Sequence, residues 1–212
     1  MIEYKTIQDS AFAEYEINKS RFLAYVSHIE SEEQAQTFIQ SIKKKHYDAR
    51  HNCCAYIIGE RGQIQKSSDD GEPSGTAGAP ILEVLKKNEL SDIVLVVTRY
   101  FGGIKLGAGG LIRAYGKSAT LALDAAVIVR KSIFDCCELT LDYDLLGTLE
   151  NYLHQHQIRI DSKEYAANVK LTILLPQSES AAILKDITDM TAARCQITKL
   201  KPRYINIPVV NE

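Results

Sequence analysis

The sequence lacks an apolar run that could cross a membrane, since nothing in it approaches the required length of about 18–20 residues. The stretch from Met1 to Ser20 contains acidic side chains and no long apolar segment, so no secretory signal peptide is visible. Low-complexity tracts and sequence repeats are also missing. We therefore expect a cytoplasmic protein without a membrane partner.

Paired cysteine motifs are missing as well. The five cysteines form two adjacent pairs and one single residue, Cys53, Cys54, Cys136, Cys137 and Cys195. An odd number without a Cys-x-x-Cys spacing argues against both a disulfide framework and a zinc ribbon. We expect reduced thiols, as is usual in the cytosol.

An excess of charge of one sign is absent from the chain as a whole but not from all of its parts. The 212 residues carry a net charge of −2, which gives no reason to expect nucleic acid as a partner. Residues 1–134 hold 17 Lys/Arg against 16 Asp/Glu, a net of +1, and residues 135–212 hold 8 against 11, a net of −3. Residues 99–131 hold six cations against one anion, so this segment is markedly basic.

Apolar periodicity predicts an α+β chain of two domains, residues 1–134 and 135–212. In the first domain it predicts strands at 12–17, 22–29, 53–59, 64–66, 93–98 and 127–130, and helices after a capping Ser31, from Pro80, and over 109–126. In the second it predicts a strand at 136–143, a helix at 145–156, strands at 158–165 and 169–175, a helix capped by Ser178, and strands at 195–200 and 204–209. The β-α-β-β-α-β order of the second domain is that of a ferredoxin-like unit.

The most unusual segment runs from Thr98 to Ser118, where five glycines fall within nine residues. Such glycines indicate a tight turn or a close backbone approach. The helix that follows begins with unpaired N–H groups, which favour an anion. Because cations and aromatic residues cluster here, the segment is suited to phosphate contacts and to stacking on unpaired bases.

Two segments supply the candidate residues for binding nucleic acid or another partner. The glycine-rich segment contributes Arg99, Tyr100, Lys105, Gly107, Gly109, Gly110, Arg113 and Lys117. The polar loop at residues 67–80 contributes Asp69, Asp70, Glu72, Ser74 and Thr76. In this hypothesis the cations contact phosphates and the glycines let a backbone approach. The alternative is that Tyr100 and Phe101 belong to the core and the cations are merely solvated.

Three features invite an enzymatic interpretation. Gly116-Lys117-Ser118 is similar to the end of a phosphate-binding loop, but Leu111 stands where that motif needs glycine. The loop carboxylates have the chemistry for a divalent cation or for acid–base work, although loop carboxylates are more often simply solvated. His51 and Cys53 fall on one face of a predicted strand and Cys54 on the other, where cysteines usually pack. We predict no catalytic residues, metal or cofactor.

Four motifs closely resemble the IMPACT/YigZ family. They are Lys19–Phe22, His51–Tyr56, Ser68–Gly78 and Val97–Tyr115, and they span roughly residues 15–120. Cys54 departs from the family, in which that position is often aromatic. The C-terminal part is similar to the smaller second domain of the bacterial two-domain members in the order of its elements.

The resemblance implies a fold and a field of function. The N-terminal domain is expected to be similar to domain 2 of ribosomal protein S5 and domain IV of elongation factor G, with a four-stranded sheet backed by helices. The C-terminal domain is expected to be similar to domain V of that factor. The family's eukaryotic members are regulators of translational control that bind an activator of a stress-responsive initiation-factor kinase. The family supplies no established catalytic residues.

Three hypotheses follow. The first is a non-enzymatic, translation-associated protein that binds RNA or the ribosome through the basic glycine-rich segment. The second is a regulator that binds a protein partner in translational control, which fits the acidic second domain better because acidic surfaces repel RNA. The third is a hydrolase or phosphate-ester enzyme built on Asp69, Asp70 and Glu72 with Arg99.

Overall fold

The computed structural model describes residues 1–209 and separates them into two compact units. One unit comprises residues 1–131 together with residues 206–209, and the other comprises residues 132–205. Both contain helices and antiparallel sheet, so the predicted α+β class is confirmed. The domain boundary between residues 134 and 135 stays a prediction, and residues 210–212 of the predicted second domain lie outside the described part of the chain.

The first unit is built on an antiparallel sheet. Its strands are β2 (Ala11–Ile17), β3 (Ser20–His28), β4 (His51–Ile58), β5 (Ile64–Ser68) and β6 (Ile93–Tyr100). They are ordered β2-β3-β6-β4-β5. The resemblance implied four strands, and the sheet has five because Ile64–Ser68 pairs with β4 as an exposed edge strand.

Helices cover both faces of this sheet. The helices α2 (Gly78–Lys87) and α3 (Gly107–Asp124) pack on one face, and α1 (Glu32–Lys45) packs on the other. The strand β6 lies between them, and its alternate residues belong to the two cores, which explains its continuous apolar run. The predicted cap of α1 is confirmed, because the Ser31 side chain accepts a hydrogen bond from the backbone N–H of Gln34.

Two strands of this region differ from the prediction. A short strand, β1 (Tyr4–Ile7), pairs antiparallel with residues 128–131 and was not predicted, because four residues are too few to show an apolar period. The strands predicted at 127–130 and 136–143 are one continuous strand, β7 (Ile128–Leu141). The polar residues between them interrupt the apolar alternation without ending the strand.

The second unit has the predicted β-α-β-β-α-β order. After the later part of β7 come α4 (Tyr143–Gln155), β8 (Arg159–Tyr165), β9 (Val169–Pro176), α5 (Ser180–Met190) and β10 (Gln196–Lys199). The strands are ordered β10-β7-β9-β8 and are antiparallel throughout. Ser178 does not cap α5: a turn between Pro176 and Glu179 moves the helix start to Ser180. The last described strand is β11 (Arg203–Pro208).

The five cysteines are all buried free thiols. In residues 1–209 no helix is long and apolar enough to cross a membrane.

Candidate functional site

The glycine-rich segment links the end of β6 to the start of α3 in the first unit. Its first glycine, Gly102, is required by a close backbone approach, since an added Cβ would lie 2.0 Å from the carbonyl carbon of Lys19. The Gly102 amide also donates to Ser20 Oγ at 3.2 Å. This contact places the tight turn between β2 and β3 beside the glycine-rich segment, and with it the exposed Lys19. Sequence reasoning missed Lys19 as a site residue, although it stands in a family motif.

A buried ion pair joins the two predicted segments. Arg99 Nη1 donates to Glu72 Oε1 at 2.7 Å, and the two side chains are only 8% and 4% exposed. Tyr115 Oη donates to the same carboxylate oxygen at 2.9 Å. The polar loop and the glycine-rich segment therefore meet, but through the interior of the unit. The charge of Arg99 is balanced by Glu72 and is not free for a phosphate at the surface.

Two phenylalanine rings enclose the Arg99 guanidinium. Its central carbon lies 5.5 Å from the ring centroids of both Phe22 and Phe101. The Nε of Arg99 is buried and has no hydrogen-bond partner among residues 1–209. The Arg99 guanidinium is thus enclosed by two rings and paired with Glu72, while its Nε donor has no partner in the described chain.

The other loop carboxylates also have partners inside the protein. Asp69 accepts hydrogen bonds from the amides of Gly75, Ala77 and Gly78 at 2.8–3.0 Å. Burial raises the pKa of Asp69, but these three donors outweigh it and hold the pKa below its usual range. Asp70 accepts from Lys43 Nζ and from a backbone amide of β4, each at 2.7 Å.

These contacts give the carboxylates a structural role. They fold the loop and fix it against β4, α1 and β6, so they are not arranged around a common point. In residues 1–209 no group of three or more His, Cys, Asp or Glu side chains is placed to hold a metal ion. The geometry therefore gives no support to the hydrolase hypothesis.

Two polar loop residues differ in their surroundings. Thr76 is buried, and its hydroxyl donates to the Pro73 carbonyl at 2.6 Å, which stabilises the turn before α2. Ser74 is exposed. Of this pair, only Ser74 is accessible to a partner.

The Cys53 side chain is buried, as predicted for a strand cysteine, and the neighbouring His51 contacts the polar loop. His51 Nδ1 lies 2.9 Å from the Asp70 carbonyl oxygen, to which it donates. Cys53 Sγ lies 2.9 Å from the Asp69 carbonyl oxygen and 3.3 Å from Tyr115 Oη. Burial raises the pKa of the Cys53 thiol far above its ordinary value, so a nucleophilic thiolate is disfavoured.

The neighbouring aromatic residues Tyr100 and Phe101 lie in different environments. Tyr100 is half-buried; its hydroxyl donates to Asp48 at 2.8 Å and lies 3.0 Å from His46 Nδ1. His46 Nε2 in turn lies 2.8 Å from the Tyr25 hydroxyl. Phe101, by contrast, is 55% exposed. Tyr100 therefore belongs to a partly exposed chain of polar contacts, and Phe101 is available at the surface.

The remaining cations and glycines form an exposed basic surface. Lys105, Arg113 and Lys117 are exposed, and Arg113 and Lys117 stand one turn apart on α3. Gly107 and Gly109 are also exposed, whereas Gly110 is partly buried, close to Leu106. We call Lys19, Lys105, Gly107, Gly109, Arg113 and Lys117 the α3 entry surface.

The start of α3 adds partial positive charge to this surface. Leu106 occupies the capping position, and no described side chain bonds there as a cap. The first turn, Gly107 to Gly110, contains no acidic residue. The first amides of the helix thus keep donors for an anion.

An open groove of about 580 Å³ lies beside this helix start. Both predicted segments line it, through Glu72, Arg99, Tyr100, Phe101, Lys105 and Gly107. The other candidates, Asp69, Asp70, Ser74, Thr76, Gly109, Gly110, Arg113 and Lys117, are not among its lining residues in the described chain. Residues 48–51 complete the wall, and they include Arg50, a second cation that sequence reasoning missed.

Comparison with known proteins gives two domain matches. Residues 18–123 match the Impact N-terminal domain, and residues 139–194 match a domain of unknown function, DUF1949. The chain is 46% identical over 202 residues to the IMPACT family member YvyE of Bacillus subtilis, covering 95% of this chain and 93% of that protein. It is 37% identical over 188 residues to the IMPACT family member YigZ of Escherichia coli, covering 88% and 92%.

One solved structure and one eukaryotic sequence agree with these matches. A solved structure of a hypothetical protein has 34% sequence identity to this chain, covers 95% of it and 98% of the other, and gives a TM-score of 0.61. A eukaryotic relative, the IMPACT homologue of Dictyostelium discoideum, is 41% identical over 93 residues, which is 42% of this chain and 26% of that protein.

Proposed function

This chain belongs to the IMPACT family, and on that premise we propose that it is a non-enzymatic, translation-associated regulator that binds RNA or the ribosome through the α3 entry surface. The translational part rests on the family, because the resemblance to it implies a role in translational control. The expected likeness to domain 2 of ribosomal protein S5 and to domains IV and V of elongation factor G supports it by analogy.

One observation carries the RNA part of the proposal. Exposed cations lie before the uncapped start of α3, at Lys105, and along the helix, at Arg113 and Lys117, and the first turn of the helix is Gly-Ala-Gly-Gly. Phosphates are attracted both by the cations and by the free helix amides, and glycines let a nucleic-acid backbone come close. The interior contacts of Arg99 and Glu72 remove these two residues from direct binding and assign them to holding the surface in place.

The test is the salt dependence of binding to a structured RNA. The affinity should fall steeply between about 50 and 200 mM salt, because each neutralised phosphate releases counterions. Substituting Lys105→Ala together with Arg113→Ala should weaken binding and flatten the slope of log K against log salt by about 1 to 2. A matched control is Lys86→Ala with Lys87→Ala, two exposed cations at the end of α2. A salt-independent affinity, or an unchanged slope in the entry-surface variant, would contradict the RNA proposal.

A second candidate function, binding of a protein partner, is favoured by apolar side chains on the same surface. Phe101, Ile104 and Ile112 are 55%, 46% and 45% exposed. Apolar side chains among cations suit a partner with an apolar and acidic face. Affinity capture with the tagged protein after nuclease treatment separates the two functions: partners that survive nuclease and disappear with Ile104→Ser and Ile112→Ser support the protein-binding function.

A further inference from the structure

The groove beside the start of α3 combines two independent features that attract an anion. The first is the helix start itself, at which Gly107 and Ala108 line the groove and have no capping side chain among the described residues. The second is Lys105, an exposed cation that lines the same groove. Arg99 also lines the groove, but it is paired with Glu72, and its Nε, which has no partner in the described chain, is itself buried. Because Glu72 balances the charge of Arg99 and Asp48 offsets that of Arg50, the net positive charge of the groove comes from the helix start and Lys105.

Phe101 adds a stacking surface to this groove. One side of its ring faces the Arg99 guanidinium, and 55% of the residue is exposed. A ring supported in this way is fixed in orientation, so little freedom is lost when a base stacks on it. The same segment therefore offers donors for a phosphate and a ring for a base.

We propose that this groove binds one unpaired nucleotide of an RNA strand, with its phosphate at the first amides of α3 and its base on Phe101. This inference rests on the proposed function and specifies its ligand: single-stranded RNA, because a paired base is stacked inside the duplex and cannot reach the ring. Duplex RNA contacts only the exposed cations of the α3 entry surface.

The experiment compares a labelled single-stranded RNA of about 12 nucleotides, without self-complementarity, with the duplex formed on the same strand. Fluorescence anisotropy of the full chain should show tighter binding of the single strand. Phe101→Leu should weaken single-strand binding about ten-fold and leave duplex binding within about two-fold. Ala108→Asp, which places a carboxylate at the helix start, should also weaken single-strand binding, by about five-fold.

The controls keep the failure of this inference apart from failure of the proposed function. Tyr165→Leu removes another exposed aromatic ring, in the second unit, and should change neither affinity. Circular dichroism of each variant confirms folding. If the wild type binds both RNAs equally, or if Phe101→Leu weakens both by one factor or neither, the nucleotide site is refuted while the salt-dependent RNA function stands. If the wild type binds neither RNA, the proposed function and the nucleotide site both fall.

Discussion

The buried pair of Arg99 and Glu72 gives the sharpest test of how the two loops are held. Replacing Arg99 by methionine keeps a long apolar side chain between the two phenylalanine rings but removes the partner of Glu72. The Glu72 carboxylate, only 4% exposed, is then left with the Tyr115 hydroxyl as its donor. The reverse variant, Glu72→Leu, leaves the guanidinium buried without an anion.

The magnitude follows from the burial of both partners. Removing one member of a buried pair costs about 3–5 kcal/mol of unfolding free energy. In Arg99→Met, contact of the sulfur with the rings offsets about 1 kcal/mol, so we expect a loss of about 2–4 kcal/mol. Glu72→Leu should lose about 3–5 kcal/mol. The double variant replaces the whole pair by apolar groups and should lose only about 1–3 kcal/mol, the effect of leaving the Tyr115 hydroxyl without its acceptor.

The assay is urea unfolding followed by circular dichroism, with hydrogen exchange of the β4 and β6 amides to report on the first unit alone. The double-mutant cycle should give a coupling of at least about 2 kcal/mol. Because the pair is buried, these losses should be the same at about 0.05 and 0.5 M salt. Additive single variants, or a coupling below about 0.5 kcal/mol, would refute the argument that this pair holds the loops together.

Three further outcomes follow from the structure. Gly102→Ala should destabilise the first unit by about 1–3 kcal/mol in urea unfolding, because the added Cβ meets backbone atoms. Gly116→Ala should instead stabilise α3 by about 0.5–1 kcal/mol, because the space around Gly116 is open. Equal effects of the two substitutions would contradict this prediction. Burial and the nearby Lys45 lower the pKa of His46, so its contribution to stability is present above about pH 6.5 and is lost as the pH falls through the folded value. A His46→Gln variant should lose this acid dependence in thermal unfolding. The Cys53 thiol should react with a thiol reagent only at the rate of local opening, and rapid labelling of the native protein would show the burial to be wrong.

The fold followed from the sequence where local signals were strong. The β-branched run of β6 and the cap at Ser31 each rest on neighbouring residues, and both were predicted. The four-residue strand β1 was missed because its partner, β7, lies more than a hundred residues away and its own period is too short to detect. A short strand of this kind is therefore determined by its long-range pairing and cannot be recognised from local propensity.

The candidate site shows the same division. The sequence located both segments, but it grouped Arg99 with the surface cations because positively charged residues cluster in the glycine-rich segment. The burial of Arg99 depends on Glu72, 27 residues earlier, and on the rings of Phe22, in β3, and Phe101, just after β6. The different exposures of Tyr100 and Phe101 also depend on distant partners, here His46 and Asp48. Charge and glycine content can be counted directly in the sequence, whereas the partner of each charged side chain is determined only in the folded protein.

The close approach of Gly102 to the turn at Lys19 has a practical consequence for protein engineering. With the Arg99–Glu72 pair, it fixes the loops from inside, so the residues most characteristic of the motifs are occupied in holding one another. The outward side chains of Ile104, Lys105 and Ile112 take no part in that framework. A combinatorial library randomised at those three positions should retain the fold, which makes this loop and the first part of α3 a scaffold for selecting new binding specificities.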